Sequence, residues 1–185
     1  MPNDLIERKN SLLFAWMDHT GRGWLTREDY EHMSDRLAAL GRPEERRNQA
    51  AVREDFMRWW PMLQEAGAVD AEGRVGRAEF LACMRANVAE PKPFIEGVVL
   101  PLADRLLKTL DTDRSGMLSY EEYVRLYEGL NVPSDTSGPA FHRLDRDGDG
   151  AISHAEWCTA IEEFFLSGDP EAPGNWLLGP PQPPG

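Results

Sequence analysis

Asp111-Thr-Asp113-Arg-Ser115-Gly116-Met117-Leu118-Ser119-Tyr-Glu-Glu122 and Asp145-Arg-Asp147-Gly-Asp149-Gly150-Ala151-Ile152-Ser153-His-Ala-Glu156 decide the fold of this chain. Each stretch places oxygen-bearing side chains at positions 1, 3, 5 and 9, glycine at 6, an aliphatic residue at 8 and glutamate at 12. That spacing suits a hard, oxygen-seeking cation: Ca²⁺ takes six to eight oxygens at about 2.3–2.6 Å in a flexible cage. A tight turn aims side chains 1, 3 and 5 at one point, and glycine at 6 allows the reversal because it reaches positive φ without a Cβ clash. The carbonyl of residue 7 follows. Glutamate at 12 begins the next helix and reaches back with both oxygens. The expected ligands are Asp111, Asp113, Ser115, the Met117 carbonyl and Glu122 in one loop. In the other they are Asp145, Asp147, Asp149, the Ala151 carbonyl and Glu156.

This is the schedule of the EF-hand loop, and such loops pair. The same anchors, glycine at 6 and an aliphatic residue at 8, find two weaker copies, Asp18–Asp29 and Ala68–Glu79. The flanks carry apolar residues at helical spacing, such as Leu5, Leu12 and Trp16 before the first loop and Leu102, Leu106 and Leu110 before the third. The expected architecture is all-α: a compact four-EF-hand protein, its two pairs packed around a shared core. Residues 1–88 form an N-terminal pair with degraded loops 18–29 and 68–79. Residues 94–166 form a C-terminal pair with complete loops 111–122 and 145–156, and residues 167–185 form a Pro/Gly-rich tail. Short two-stranded ribbons should set Leu25 opposite Val75 and Leu118 opposite Ile152. Pro61 and Pro101 should kink their helices. The short, proline-bearing connection 87–93 favours packed halves over a dumbbell.

The first loop departs from the ligand schedule. Asp18 is in place, but position 3 is Thr20, position 5 is Arg22, position 7 is Trp24, and Asp29 at position 12 is one methylene short. It reads as a loop kept for pairing, with weak or magnesium-like binding as the alternative. The second loop lacks its first ligand (Ala68) and has Gly76 at position 9, so it reads as empty.

Of the 185 residues, 41% are hydrophobic, enough for a sizeable core, and the formal charge is −12. That charge argues against a nucleic-acid surface and against polybasic membrane docking. No apolar run approaches the ~18–20 residues of a membrane span, and the N-terminus lacks a signal-peptide core. A monomer in the cytoplasm is expected. Cys83 and Cys158 form no CxxC and read as buried, reduced thiols rather than redox or zinc groups. His19, His32, His142 and His154 read as surface residues. With no nucleophile–base constellation and no phosphate cradle, the chain carries no catalytic apparatus.

The uneven loop spacing, the defective second loop and the phrases Leu25-Thr-Arg-Glu-Asp-Tyr30 and Asp169-Pro-Glu-Ala-Pro-Gly-Asn-Trp-Leu-Leu178 resemble the sarcoplasmic calcium-binding proteins and their actinomycete relative calerythrin. The resemblance implies a compact fold and calcium buffering, with loops one, three and four commonly filled. It also implies a C-terminal segment folded back, with Trp176, Leu177 and Leu178 in an apolar groove. The cofactor is then Ca²⁺, with Mg²⁺ as competitor. A protein partner is not indicated. Two other functions stay open: a sensor that bares an apolar groove to a partner protein, and a cavity that holds a small ligand.

Overall fold

The computed structural model describes residues 2–130 and 132–180. The last five residues of the predicted tail lie outside the described residues. The first hand is α1 (Pro2–Met17), a loop carrying β1 (Trp24–Thr26), and α2 (Arg27–Ala38). The second has an entering helix in two pieces, α3 (Arg46–Met57) and α4 (Trp59–Glu65), then β2 (Arg74–Gly76) and α5 (Arg77–Ala89). A short α6 (Pro91–Phe94) and a π-helical turn (Ile95–Val99) lead into α7 (Leu100–Leu110), β3 (Met117–Leu118) and α8 (Tyr120–Leu130). The fourth hand is α9 (Ser137–Leu144), β4 (Ile152–Ser153) and α10 (His154–Leu166), followed by a 3₁₀ turn at Pro173–Trp176.

Both prolines act as expected, one turn upstream of themselves. Pro61 has no N–H for the carbonyl of Met57, and the helix breaks at Met57–Trp59. Pro101 cannot bond the carbonyl of Gly97, and the backbone widens just before it, so that Leu100 N–H bonds the carbonyl of Ile95.

The paired loops meet in two antiparallel ribbons, with Leu25 opposite Val75 and Leu118 opposite Ile152, as predicted. All four side chains are fully buried. These ribbons fix the loops back to back above the helices.

One continuous apolar core runs through all four hands, from Phe14 and Leu37 through Trp59 and Phe94 to Leu106 and Phe164. Trp59, Phe94 and Phe165 form a triangle with ring centroids 5.3, 5.8 and 5.5 Å apart, joining the N-terminal half, the connection and the last helix. Such aromatic pairs contribute about 0.5–1.5 kcal/mol each beyond their buried area.

The tail closes this core. Leu177 and Leu178 are buried and Trp176 half-buried. The Tyr123 hydroxyl donates to the Leu177 carbonyl at 2.8 Å, Tyr127 donates to the Trp176 carbonyl at 3.3 Å, and Arg143 lies 4.3 Å over the Trp176 ring. Lys9 of α1 fastens the tail from the other side. Its ammonium donates to the carbonyls of Glu163 and Ser167 and to Asn175 Oδ1, each at 2.8 Å, so all three N–H groups are used. The side chain is fully buried. Burial pulls its pKa down to about 8 against the opposing charge of Glu163, and it stays charged at neutral pH.

Candidate metal centre

The third and fourth loops build their sites in the same way. Gly116 and Gly150 adopt the left-handed backbone at position 6 (φ 81° and 91°), as do Arg114 and Gly148 at position 4 (φ 64° and 71°). This double reversal turns successive N–H groups inward onto the first aspartate. Asp111 accepts from Ser115 N and Gly116 N, both at 2.9 Å. Asp145 accepts from Gly148, Asp149 and Gly150 N at 2.9, 3.1 and 3.0 Å. The remaining oxygens of each carboxylate cluster are gathered rather than spread.

Position 12 closes each loop. Glu122 Oε1 accepts from Thr112 N at 2.6 Å while Oε2 takes Ser119 N and Oγ at 3.1 Å. Glu156 does the same, with Oε1 on Arg146 N at 2.7 Å and Oε2 on Ser153 N and Oγ at 2.8 and 2.7 Å. Position 9 is the helix N-cap, so one glutamate side chain caps the exit helix and ties it to residue 2 of the loop. Burial pushes both glutamate carboxyls up, but these hydrogen bonds more than reverse it and hold them below the usual range. The N–H and hydroxyl of Ser115 hold the Asp113 carboxyl low as well.

The structure brings carboxylate oxygens of Asp111, Asp113 and Glu122 within 4.8 Å of one another, and likewise those of Asp145, Asp147 and Asp149. Oxygens that share one Ca²⁺ at about 2.3–2.6 Å lie within roughly 5 Å of each other, so both sets fit that ion. Ser115 Oγ joins the first set, 3.4 Å from Asp111 Oδ1 and 3.2 Å from the Met117 carbonyl. Ala151 donates its N–H to Asp149 at 2.9 Å, and Glu156 stands at the loop mouth outside the tight aspartate triad.

The N-terminal loops hold cations of their own. In loop one, Arg22 turns inward. Its Nη2 sits 2.7 Å from both oxygens of the buried Asp29. Asp29 reaches Thr26 N at 2.7 Å, as a cap should, and meets the second residue of the loop only at the His19 ring, whose Nδ1 is 3.9 Å away. In loop two, Arg74 pairs with Asp70 and Glu72, both at 3.0 Å. Ala71 at position 4 is not left-handed, unlike Gly21, Arg114 and Gly148, so the backbone of this loop departs from the other three. Both guanidiniums lie against the exposed ring of Trp24, 6.0 and 5.7 Å from its centroid. A cation at position 5 opposite a shortened acid is visible in the sequence, but the direction Arg22 takes is not. The role of Arg74 left no signal, because side chains at position 7 are ordinarily free.

Helix–loop–helix units with ribbon-paired, oxygen-lined loops define an EF-hand calcium-binding protein, and a family model described as EF hand matches residues 102–127 and 139–159. The sarcoplasmic calcium-binding protein of Perinereis vancaurica tetradentata is 30% identical over 182 residues, covering 96% of this chain and 99% of that one. The luciferin-binding protein of Renilla reniformis is 25% identical over 177 residues, 93% and 92% of the two chains. Calerythrin of Saccharopolyspora erythraea is 22% identical over 160 residues, 83% and 88%. Among solved structures, a Streptomyces coelicolor calcium-binding protein superposes with a TM-score of 0.71 at 26% identity, covering 86% of this chain and 97% of that one. The chain belongs to the sarcoplasmic calcium-binding protein family. It is a calcium-binding protein and not an enzyme. No helix among the described residues is long and apolar enough to cross a membrane.

Proposed function

We propose that this protein is a cytoplasmic calcium buffer that takes two ions, both in the C-terminal pair. The ligands are Asp111, Asp113, Ser115, the Met117 carbonyl and Glu122 for one ion, and Asp145, Asp147, Asp149, the Ala151 carbonyl and Glu156 for the other. Residues 1–88 then act as a structural pair whose charges are balanced internally by Arg22 and Arg74. Mg²⁺ competes for the same all-oxygen donors, more weakly because it demands a tighter octahedron.

The observation that carries the buffer reading is the closed core. A sensor bares a Met-rich groove when calcium binds. Here the apolar faces of both pairs are spent on each other, and the tail is tied over the remaining opening through Tyr123, Tyr127 and Lys9. Met17, Met33 and Met84, on α1, α2 and α5, are buried within the shared core. Saturating Ca²⁺ should leave the fluorescence of a hydrophobic-surface dye nearly unchanged. A several-fold calcium-dependent rise would replace the buffer with a sensor.

An apolar cavity supports a second reading, that of a ligand holder like the Renilla relative. It is about 100 Å³, lined by Leu13, Trp59, Leu102, Trp157, Phe164 and Leu177 among others, with no polar atom on its wall. Ligand pockets run to about 300–1,000 Å³ and carry a few polar groups for orientation. A void of this size and character suits at most a small apolar molecule of roughly benzene size. The geometry therefore favours the buffer.

A further inference from the structure

We infer that the C-terminal tail is coupled to the calcium site of loop four through Arg146 and Glu163, a coupling that presupposes the calcium ligands proposed for that loop. An ion in loop four fastens the tail, and the docked tail tightens that site. Arg146 is position 2 of the loop and is held at both ends. Its N–H donates to Oε1 of Glu156, the position-12 acid, at 2.7 Å. Its guanidinium donates through Nη2 to Glu163 Oε2, two turns further along α10, also at 2.7 Å. The same Oε2 accepts the N–H of Gly174 in the tail at 2.8 Å. One carboxylate oxygen thus ties the loop to the tail, and Arg146 and Glu163 are positioning residues rather than ligands. The entering helix joins in. Arg143, two residues before the first ligand Asp145, sets its guanidinium 4.3 Å from the centre of the Trp176 ring. The tail therefore spans α9 and α10, the two helices whose relative angle a calcium ion sets in a responsive EF-hand.

Loop three makes a different use of the same position. Its residue 2 is Thr112, whose hydroxyl turns back onto Glu122 Oε1 at 2.9 Å. The sign of the coupling follows from charge and from order. The Arg146 side chain leaves a loop that carries Asp145, Asp147, Asp149 and Glu156. Those carboxylates compete with Glu163 for its positive charge. A bound Ca²⁺ cancels half of the competing charge, and the guanidinium commits to Glu163. Conversely, a guanidinium already fixed by the docked tail leaves less of residue 146 to be ordered when the ion binds, which is positive cooperativity between ion and tail. Linkage makes the two effects equal: the factor that the docked tail adds to calcium affinity is the factor that calcium adds to tail docking. Both members of the ion pair are partly exposed, so this factor is modest, about threefold. Calcium then shuts the tail rather than releasing it, the opposite of a sensor.

The test uses the full chain with one site left at a time: Asp111→Ala keeps loop four, and Asp145→Ala keeps loop three. Hydrogen exchange at the amides of Gly174 and Leu177, read by NMR against the amides of α2, should slow about threefold when Ca²⁺ is added to the Asp111→Ala chain. In the Asp145→Ala chain it should not change. Arg146→Met added to the Asp111→Ala chain should remove the slowing, and Arg146→Lys should keep most of it. In the reciprocal arm, Gly174→Ala lies outside both loops and adds no charge. It should weaken calcium binding to the Asp111→Ala chain about threefold in calorimetric titration and leave the Asp145→Ala chain unchanged. Tail exchange that ignores an ion in loop four, or a slowing that survives Arg146→Met, overturns the coupling alone. An Asp111→Ala chain that takes no ion overturns the proposed function together with it.

Discussion

The two halves of the molecule share a ribbon, a loop length and a position-6 glycine, yet balance charge in opposite ways. In the C-terminal pair, carboxylates converge on a point that a cation would neutralise. In the N-terminal pair, Arg22 and Arg74 are that cation, supplied by the chain itself. What separates a metal site from a scaffold is thus less the loop backbone than the sign of the side chains at positions 5 and 7. A guanidinium bonded to both oxygens of Asp29 completes the loop in one chain, without an ion and without the entropy cost of a second molecule.

The largest effect should come from the C-terminal side. Asp145→Ala removes the aspartate that gathers three loop N–H groups. It should weaken the fourth site by at least about a hundredfold and leave one ion bound, as read by calorimetric titration. On the other side, the double change Arg22→Asp with Asp29→Glu supplies an oxygen at position 5 and the longer acid at position 12. It should create a third site in loop one, while the same titration of Arg22→Ala alone shows none. Arg22→Ala should also lower stability by about 1–3 kcal/mol in urea unfolding, since it strands a buried carboxylate.

Effects on the shared core should be next. Gly174 packs against α10 so closely that a Cβ would lie 2.6 Å from Glu163 Cβ. Gly174→Ala should therefore cost about 1–3 kcal/mol in thermal unfolding and loosen the tail, with calcium stoichiometry unchanged. Lys9 gives the tail a pH dependence. The native state releases its proton near 8, whereas the ordinary value is 10.5. Between those values the unfolded chain holds more protons, so this contribution to stability rises with pH and is lost as pH falls through about 8. The difference in urea midpoint between wild type and Lys9→Met, followed from pH 7.5 to 10.5, should grow in favour of wild type. The smallest effect is that of Arg74→Ala, which should leave the urea midpoint nearly unchanged, since its ion pairs are exposed.

Much of this was legible in the chain. The twelve-residue spacing disclosed the C-terminal carboxylate clusters, the ribbon register and the paired architecture, because each is local and forced by loop geometry. Pro61 and Pro101 marked their helix breaks for the same reason. The direction taken by Arg22 was not legible, since a long side chain reaches either inward or to solvent, and burial of Asp29 decides it. Lys9 left a fainter mark: it falls on the same helical face as Leu5 and Leu13, a place for an apolar residue. Only the fold of the tail reveals the three acceptors waiting for its ammonium. Cys158, expected to be buried, is only half-buried, because its neighbour Trp157 takes the core-facing position on α10.

Counting ions is the most direct test of the arginine-filled half against the ion-filled half. Native mass spectrometry of the full chain with saturating Ca²⁺ and no other divalent metal should show two calcium ions per chain and no third. A third ion would mean that Arg22 yields its place in loop one. Fewer than two would mean that the C-terminal carboxylates do not form the sites assigned to them.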